Sequence, residues 1–158
     1  REYDVMTNSP PFDEQLALVN YWRLIGGDKF LPGTISAADR FVRTDYLLKS
    51  TPKFDDKHLA LGAAFSVIRS AGVPLGMEDP NHPNISMTLW RTVADHENMT
   101  FYFESVLNPS VLWVDLNNID FAAGSGARTI PLTRQTRLAG EVSAEFKPAE
   151  PIKWLGSE

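Results

Sequence analysis

The chain has 158 residues, 43% of them hydrophobic and 22% charged, with a formal net charge of −5 and no cysteine. That length suits a single folded region, and the mix of apolar and charged residues excludes a disordered chain or a membrane-spanning one. The acidic balance and the scattered Lys and Arg leave no basic stripe to displace phosphate counterions and no polybasic membrane anchor, so neither nucleic acid nor a membrane is expected as a partner. Without cysteine there is no disulfide and no thiolate metal site, which fits cytoplasm and periplasm alike.

Taken in order, Tyr3 to Thr7 reads as a short strand that stops at an uncharged amide, Asn8, followed by Ser-Pro-Pro and Phe12. Ser9 is expected to cap a helix, with Pro10 at the first helical position, where its missing N–H costs nothing. The spacing from Phe12 to Trp22 predicts that helix, with Phe12, Leu16 and Val19 on one stripe and Leu18, Tyr21 and Trp22 on another. Gly26-Gly27 and Pro32-Gly33 bracket a loop. Ser36-Ala37-Ala38-Asp39 has the form of a capping box, with Asp in the reciprocal position. It predicts a second helix carrying Phe41, Val42, Asp45, Tyr46 and Leu48, which ends at Thr51-Pro52. A third helix is expected from Asp55 to Ala71.

Beyond Pro83 the apolar period becomes two. Met87–Ala94 and Thr100–Ser105 alternate around His96-Glu97-Asn98, predicting a hairpin, and Val111–Leu116 predicts a third strand. Gly124-Ser125-Gly126 reads as a turn, and the Pro-rich remainder as irregular. A strand, three helices and then consecutive strands suggest α+β, with helices layered on an antiparallel sheet.

Most chemistry-bearing residues have an ordinary reading. His58, His82 and His96 lack ligand spacing and are read as surface residues, so no metal or cofactor is expected. Asn84-Ile85-Ser86 and Asn98-Met99-Thr100 match a glycosylation sequon that arises often by chance. Glu97, Glu104, Asp115 and Asp120 have no spacing that brings two into one site. Trp22, Trp90, Trp113 and Trp154 suit core packing, with pocket lining as the sharper alternative.

Two residues ask for more. Arg40 opens a helix directly behind Asp39, where a cation opposes the helix dipole. It either pairs with a neighbouring acid or serves an anionic group elsewhere. Asn8 is either a turn former or a donor aimed at developing negative charge.

Three stretches, VMTNSPPFDEQL (Val5–Leu16), LPGTISAADRFVR (Leu31–Arg43) and TLWRTVADHENMTFYFES (Thr88–Ser105), resemble the choloylglycine hydrolase family, the penicillin V acylases and conjugated bile salt hydrolases. The resemblance runs through nearly the whole chain. It implies part of an αββα N-terminal-nucleophile hydrolase sandwich that cleaves linear amide C–N bonds. In that family an amino-terminal cysteine attacks the amide and its own α-amino group handles the proton. The asparagine ending the strand helps form the oxyanion hole, and its match is Asn8. The arginine beside the nucleophile has its match in Arg40, whereas Arg43, one turn on, is expected to be structural.

The family's nucleophile and its aspartate partner belong to the amino-terminal half, so residues 1–158 as one region are expected to correspond to the carboxy-terminal half and to be inactive alone. Arg1 opens the chain with nothing like a signal sequence after it, as a mature, processed or excised chain would. The expected partners are a small-molecule amide, the amino-terminal half of the same enzyme and further copies of itself. The stretch from Asn20 to Pro32 is shorter than in Gram-positive bile salt hydrolases. That resembles the Gram-negative branch, where export to the periplasm is usual, although a cytoplasmic location also fits. Penicillin V is favoured as substrate, with conjugated bile salts or acyl-homoserine lactones as alternatives. In a different class, the chain would be a binding module that kept the fold and lost its nucleophile.

Overall fold

The computed structural model describes residues 4–26, 30–81, 83 and 85–153. Expectations placed on Arg1, Tyr3, Gly27, His82, Asn84 and Trp154 lie outside these residues. The chain divides into two compact units, Arg1–Thr88 and Leu89–Glu158.

The first unit holds three helices, α1 (Phe12–Leu24), α2 (Ala37–Ser50) and α3 (Lys57–Ser70). The strand expected before α1 is not formed: residues 4–11 are irregular and pair with no strand among the described residues. β character at Val5 and Thr7 is not enough, because an extended segment becomes a strand only when a neighbour takes its N–H and C=O groups. Helix α1 also begins two residues later than Ser9 and Pro10 suggest, with Pro11 at its N-cap and no side-chain cap. Its inner face is Gln15 and Val19, flanked by Phe12, Leu18 and Trp22, whereas Leu16 and Tyr21 are exposed. A glutamine therefore occupies the stripe that periodicity assigned to Leu16. Burial is tolerable because both ends of its carboxamide are hydrogen-bonded.

Helix α2 starts at Ser36, whose Oγ accepts from Asp39 N at 3.1 Å. The reciprocal arm of the box is absent. Asp39 instead takes Thr34 N at 3.1 Å and Thr34 Oγ1 at 2.6 Å, and Thr34 Oγ1 receives Ser36 N at 3.2 Å. Phe41 and Val42 pack with Val5 and Val19 in one buried cluster, so the core reaches the residues just before Asn8. Asp45, also buried, is held by Lys49 Nζ at 2.5 Å and Arg23 Nη2 at 3.5 Å.

Helix α3 begins at Lys57 rather than the expected Asp55, with Asp56 as its N-cap. Its carboxylate accepts from His58 N at 2.8 Å and Leu59 N at 3.0 Å, satisfying two of the donors a helix leaves unpaired. Those two bonds, Leu59's first, hold the Asp56 carboxyl below its usual value. A folded-state value below the unfolded one stabilises above about pH 4 and is lost as pH falls through the folded value. Asp56→Asn keeps a capping acceptor but not its titration. The stability difference between wild type and Asp56→Asn, measured by denaturant unfolding of the complete protein, is therefore expected to be constant near neutrality and to shrink below about pH 4. A difference that does not change with pH would remove this cap from the acid response.

The second unit is built on a sheet. Strands β1 (Trp90–Asp95), β2 (Thr100–Ser105) and β3 (Val111–Asp115) run antiparallel in sequence order. The β1–β2 turn is closed by Asp95, whose carboxylate accepts from Asn98 N at 3.0 Å and Asn98 Nδ2 at 2.7 Å, with Met99 left-handed at φ 51°. Strand β1 starts three residues later than alternation predicts. Thr88 is already committed to Val73, through N to O at 3.0 Å and through Oγ1 from Val73 N at 2.8 Å.

The remainder is less irregular than its composition suggests. Short segments β4 (Arg128–Thr129) and β6 (Lys147–Pro148) pair antiparallel, and β5 (Gly140–Glu141) joins the sheet parallel to β3. The sheet is therefore mixed rather than wholly antiparallel. The parallel return is possible because the chain after β3 is long enough to cross over. Leu112, Val114 and Val142 form the core it closes. Ser143 fastens the junction: Asp115 N donates to its Oγ at 3.1 Å, and Glu141 Oε1 accepts from Ser143 N at 2.9 Å.

Candidate functional site

Asn8 and Arg40, 32 residues apart, meet. Arg40 Nη2 donates to Asn8 Oδ1 at 3.1 Å, and Arg40 Nε donates to Ile35 O at 3.1 Å. Chemistry fixes the amide's orientation, because a guanidinium has no acceptor and must face the oxygen. The Asn8 NH₂ therefore points the other way, and it has no hydrogen-bond partner among the described residues. Asp39, the obvious ion-pair partner, is spent on Thr34. Both acceptors of Arg40 are neutral oxygens, so its positive charge is not cancelled within the described residues. The arginine at a helix start is thus not explained by its acidic neighbour. A free amide donor stands beside a permanent charge.

Arg43 holds the scaffold. It donates to Pro32 O and Thr34 O, both at 2.8 Å, and to Ser70 O from Nε at 3.3 Å and Nη2 at 3.1 Å. Four bonds to backbone carbonyls tie the segment before α2 to the end of α3, which is a structural role.

Thr7 and Gln15 were not legible as site residues. The Thr7 hydroxyl lies 3.1 Å from Gln15 Oε1 and 3.0 Å from Ala37 O, and Gln15 Nε2 donates to Pro10 O. The available signal was a polar residue on the apolar stripe of α1, three positions after Phe12.

The remaining candidates are dispersed. Glu104 pairs with Arg91 at 3.1 Å, Asp115 accepts from Asn117, and Asp120 accepts from Ala122. No group of three potential metal ligands exists among the described residues, and His58 and His96 are exposed. Trp113 packs against Tyr102 with ring centroids 5.9 Å apart, whereas Trp22 lines a cavity of about 240 Å³ between α1 and α2 with Val19, Val42 and Tyr46. Neither Asn8 nor Arg40 lines that cavity. No described helix is long and apolar enough to cross a membrane.

The family model for linear amide C–N hydrolases, choloylglycine hydrolase family, matches residues 1–127. The chain belongs to that family. Penicillin V acylase from Pectobacterium atrosepticum is 43% identical over 99% of this chain and 46% of its own length. The structure of penicillin V acylase from Agrobacterium tumefaciens superposes with a TM-score of 0.89 at 44% identity, covering 98% of this chain and 50% of that one. A mutant conjugated bile acid hydrolase from Clostridium perfringens shares the fold, with a TM-score of 0.60 at 20% identity over 73% of this chain and 41% of that one. The chain thus spans about half the length of the penicillin V acylases it matches. The resemblance read from the three motifs and the α+β hydrolase fold it implied both stand.

Proposed function

We propose that this chain is the carboxy-terminal half of a penicillin V acylase-type N-terminal-nucleophile amidohydrolase, completed by an amino-terminal half that carries the cysteine. One observation carries the reading: among the described residues Arg40 bonds only neutral oxygens and the Asn8 amide N–H₂ has no partner, which leaves both for a third group. A thiolate-based amide hydrolase has a use for both. The thiolate attacks the carbonyl carbon and the carbonyl oxygen becomes an oxyanion, which accepts from Asn8 Nδ2. Collapse breaks the C–N bond, and the α-ammonium of the nucleophile protonates the leaving amine. Water, deprotonated by the same amino group, then hydrolyses the thioester, releasing the acid and restoring the thiol. Arg40 favours the thiolate because a nearby fixed cation lowers a thiol's proton affinity. Penicillin V leads as substrate because two relatives above 40% identity carry the name penicillin V acylase.

The complete enzyme is expected to release the side-chain acid of penicillin V faster than it cleaves a conjugated bile salt or an acyl-homoserine lactone. Arg40→Met removes both the charge and the bond to Asn8. It is expected to lower penicillin V turnover about ten- to a hundredfold, the range for a lost hydrogen bond to a charged group, and to raise the pH at which activity switches on. An Arg40→Met enzyme with normal turnover and an unmoved pH profile would end the assignment.

A further inference from the structure

The geometry points to Gln15 as a positioning residue for the Asn8 oxyanion donor, acting through the backbone on either side of it. This rests on the reading above that Asn8 donates to the oxyanion. Asn8 itself is exposed, and its one bond among the described residues, to Arg40, fixes which way the amide faces but not where its Cα sits. That is set by the neighbours. On the carboxyl side, Pro10 O accepts from Gln15 Nε2; on the amino side, the Thr7 hydroxyl lies against Gln15 Oε1. The acceptor-only Pro10 carbonyl fixes the carboxamide, because it must face the NH₂ and leave the oxygen for Thr7. One side chain, 2% exposed, therefore grips the loop two residues after Asn8 and one before it.

The grip also joins three elements. Gln15 belongs to α1, and the Thr7 hydroxyl is 3.0 Å from Ala37 O, the first residue of α2, three positions from Arg40. Gln15 and Thr7 thus connect the segment that carries the amide donor with both helices beside it. A glutamine on an apolar stripe costs desolvation that a leucine would not, and no polar surface requires it there. What it supplies is a fixed backbone for a residue that no strand holds among the described residues. An oxyanion donor must stand within hydrogen-bond reach of where the charge develops, and a displacement of about 1 Å costs up to about a hundredfold.

The test is a double-mutant cycle in the complete enzyme, using Gln15→Met, which keeps the volume and removes both bonds. Turnover of penicillin V is expected to fall about ten- to a hundredfold with KM little changed. In an Asn8→Ala background the same substitution is expected to cost less than about twofold, because the donor it positions is gone. Equal losses in both backgrounds, or no loss in the first, would overturn the positioning role while leaving the hydrolase reading intact. Normal turnover in Asn8→Ala alone would overturn the site reading, and the positioning role with it. Should Gln15→Met fail to fold, Thr7→Val removes the hydroxyl from the same bond at a half-buried position. It is read in the same cycle, with Thr7→Ser expected to restore turnover.

Discussion

Replacing Asn8 with alanine in the complete enzyme is expected to lower kcat by about 10²–10³, roughly 3–4 kcal/mol of transition-state stabilisation, with KM little affected. On the proposed role, the split follows from where the bond is made. A ground-state carbonyl takes little from the amide N–H₂, whereas the oxyanion takes a full charge-assisted hydrogen bond, so the loss falls on kcat. Asn8→Asp is expected to be worse than alanine, although it is nearly isosteric. It replaces the donor with an anion facing a developing anion, and it also pairs with Arg40, whose charge meets no acid among the described residues. The second effect weakens the cation's hold on the thiolate, so the alkaline shift of the pH–rate profile should be larger in Asn8→Asp than in Asn8→Ala. The measurement is kcat against pH for the three proteins. If aspartate outperforms alanine, the amide is not a donor to negative charge and the site has been misread.

Phe41→Ala is expected to cost about 3–5 kcal/mol of folding stability, the range for deleting a buried aromatic ring. Phe41 is 1% exposed and packs edge-on against Phe12, with ring centroids 6.0 Å apart and planes at 81°. The substitution removes the aromatic pair as well as the transfer energy, and the cavity opens among Val5, Val19 and Val42. Phe41→Leu, which keeps most of the volume, is expected to cost less than about 1.5 kcal/mol. Guanidinium unfolding of the complete protein separates the two. A cost for alanine below about 1 kcal/mol would mean that the cluster can collapse around the missing ring. The same cluster includes Val5 and adjoins Arg40 in sequence, so the alanine variant should also lose turnover in excess of its unfolded fraction.

Sequence reasoning reached the residues whose oddity is local. Arg40 opposes a helix dipole, and Asn8 interrupts β character with an uncharged amide; both are visible without any partner. The Ser36 cap and the turn after Asp95 were also legible, since each is closed by side chains within four residues. What stayed hidden depends on distant groups. Gln15 reads as a break in an apolar stripe until Pro10 and Thr7 are placed around it. The parallel pairing of Leu112 with Gly140 spans 28 positions, and no turn signal announces it. The strand expected at Tyr3–Thr7 failed in the opposite direction: its composition was suitable, but residues 4–7 pair with no strand among the described residues. The proposed roles of the site pair rest on the family resemblance; their proximity is a feature of the fold.

Arg43 has a consequence for how such enzymes can diversify. Its fork clamps the chain at Pro32 and Thr34 and braces that clamp against the tail of α3. Segments inserted or deleted upstream of Pro32 are therefore mechanically insulated from Arg40, and lengthening them adds only slowly to the closure entropy. The stretch before Pro32 can therefore change in length while Arg40 keeps its place on α2.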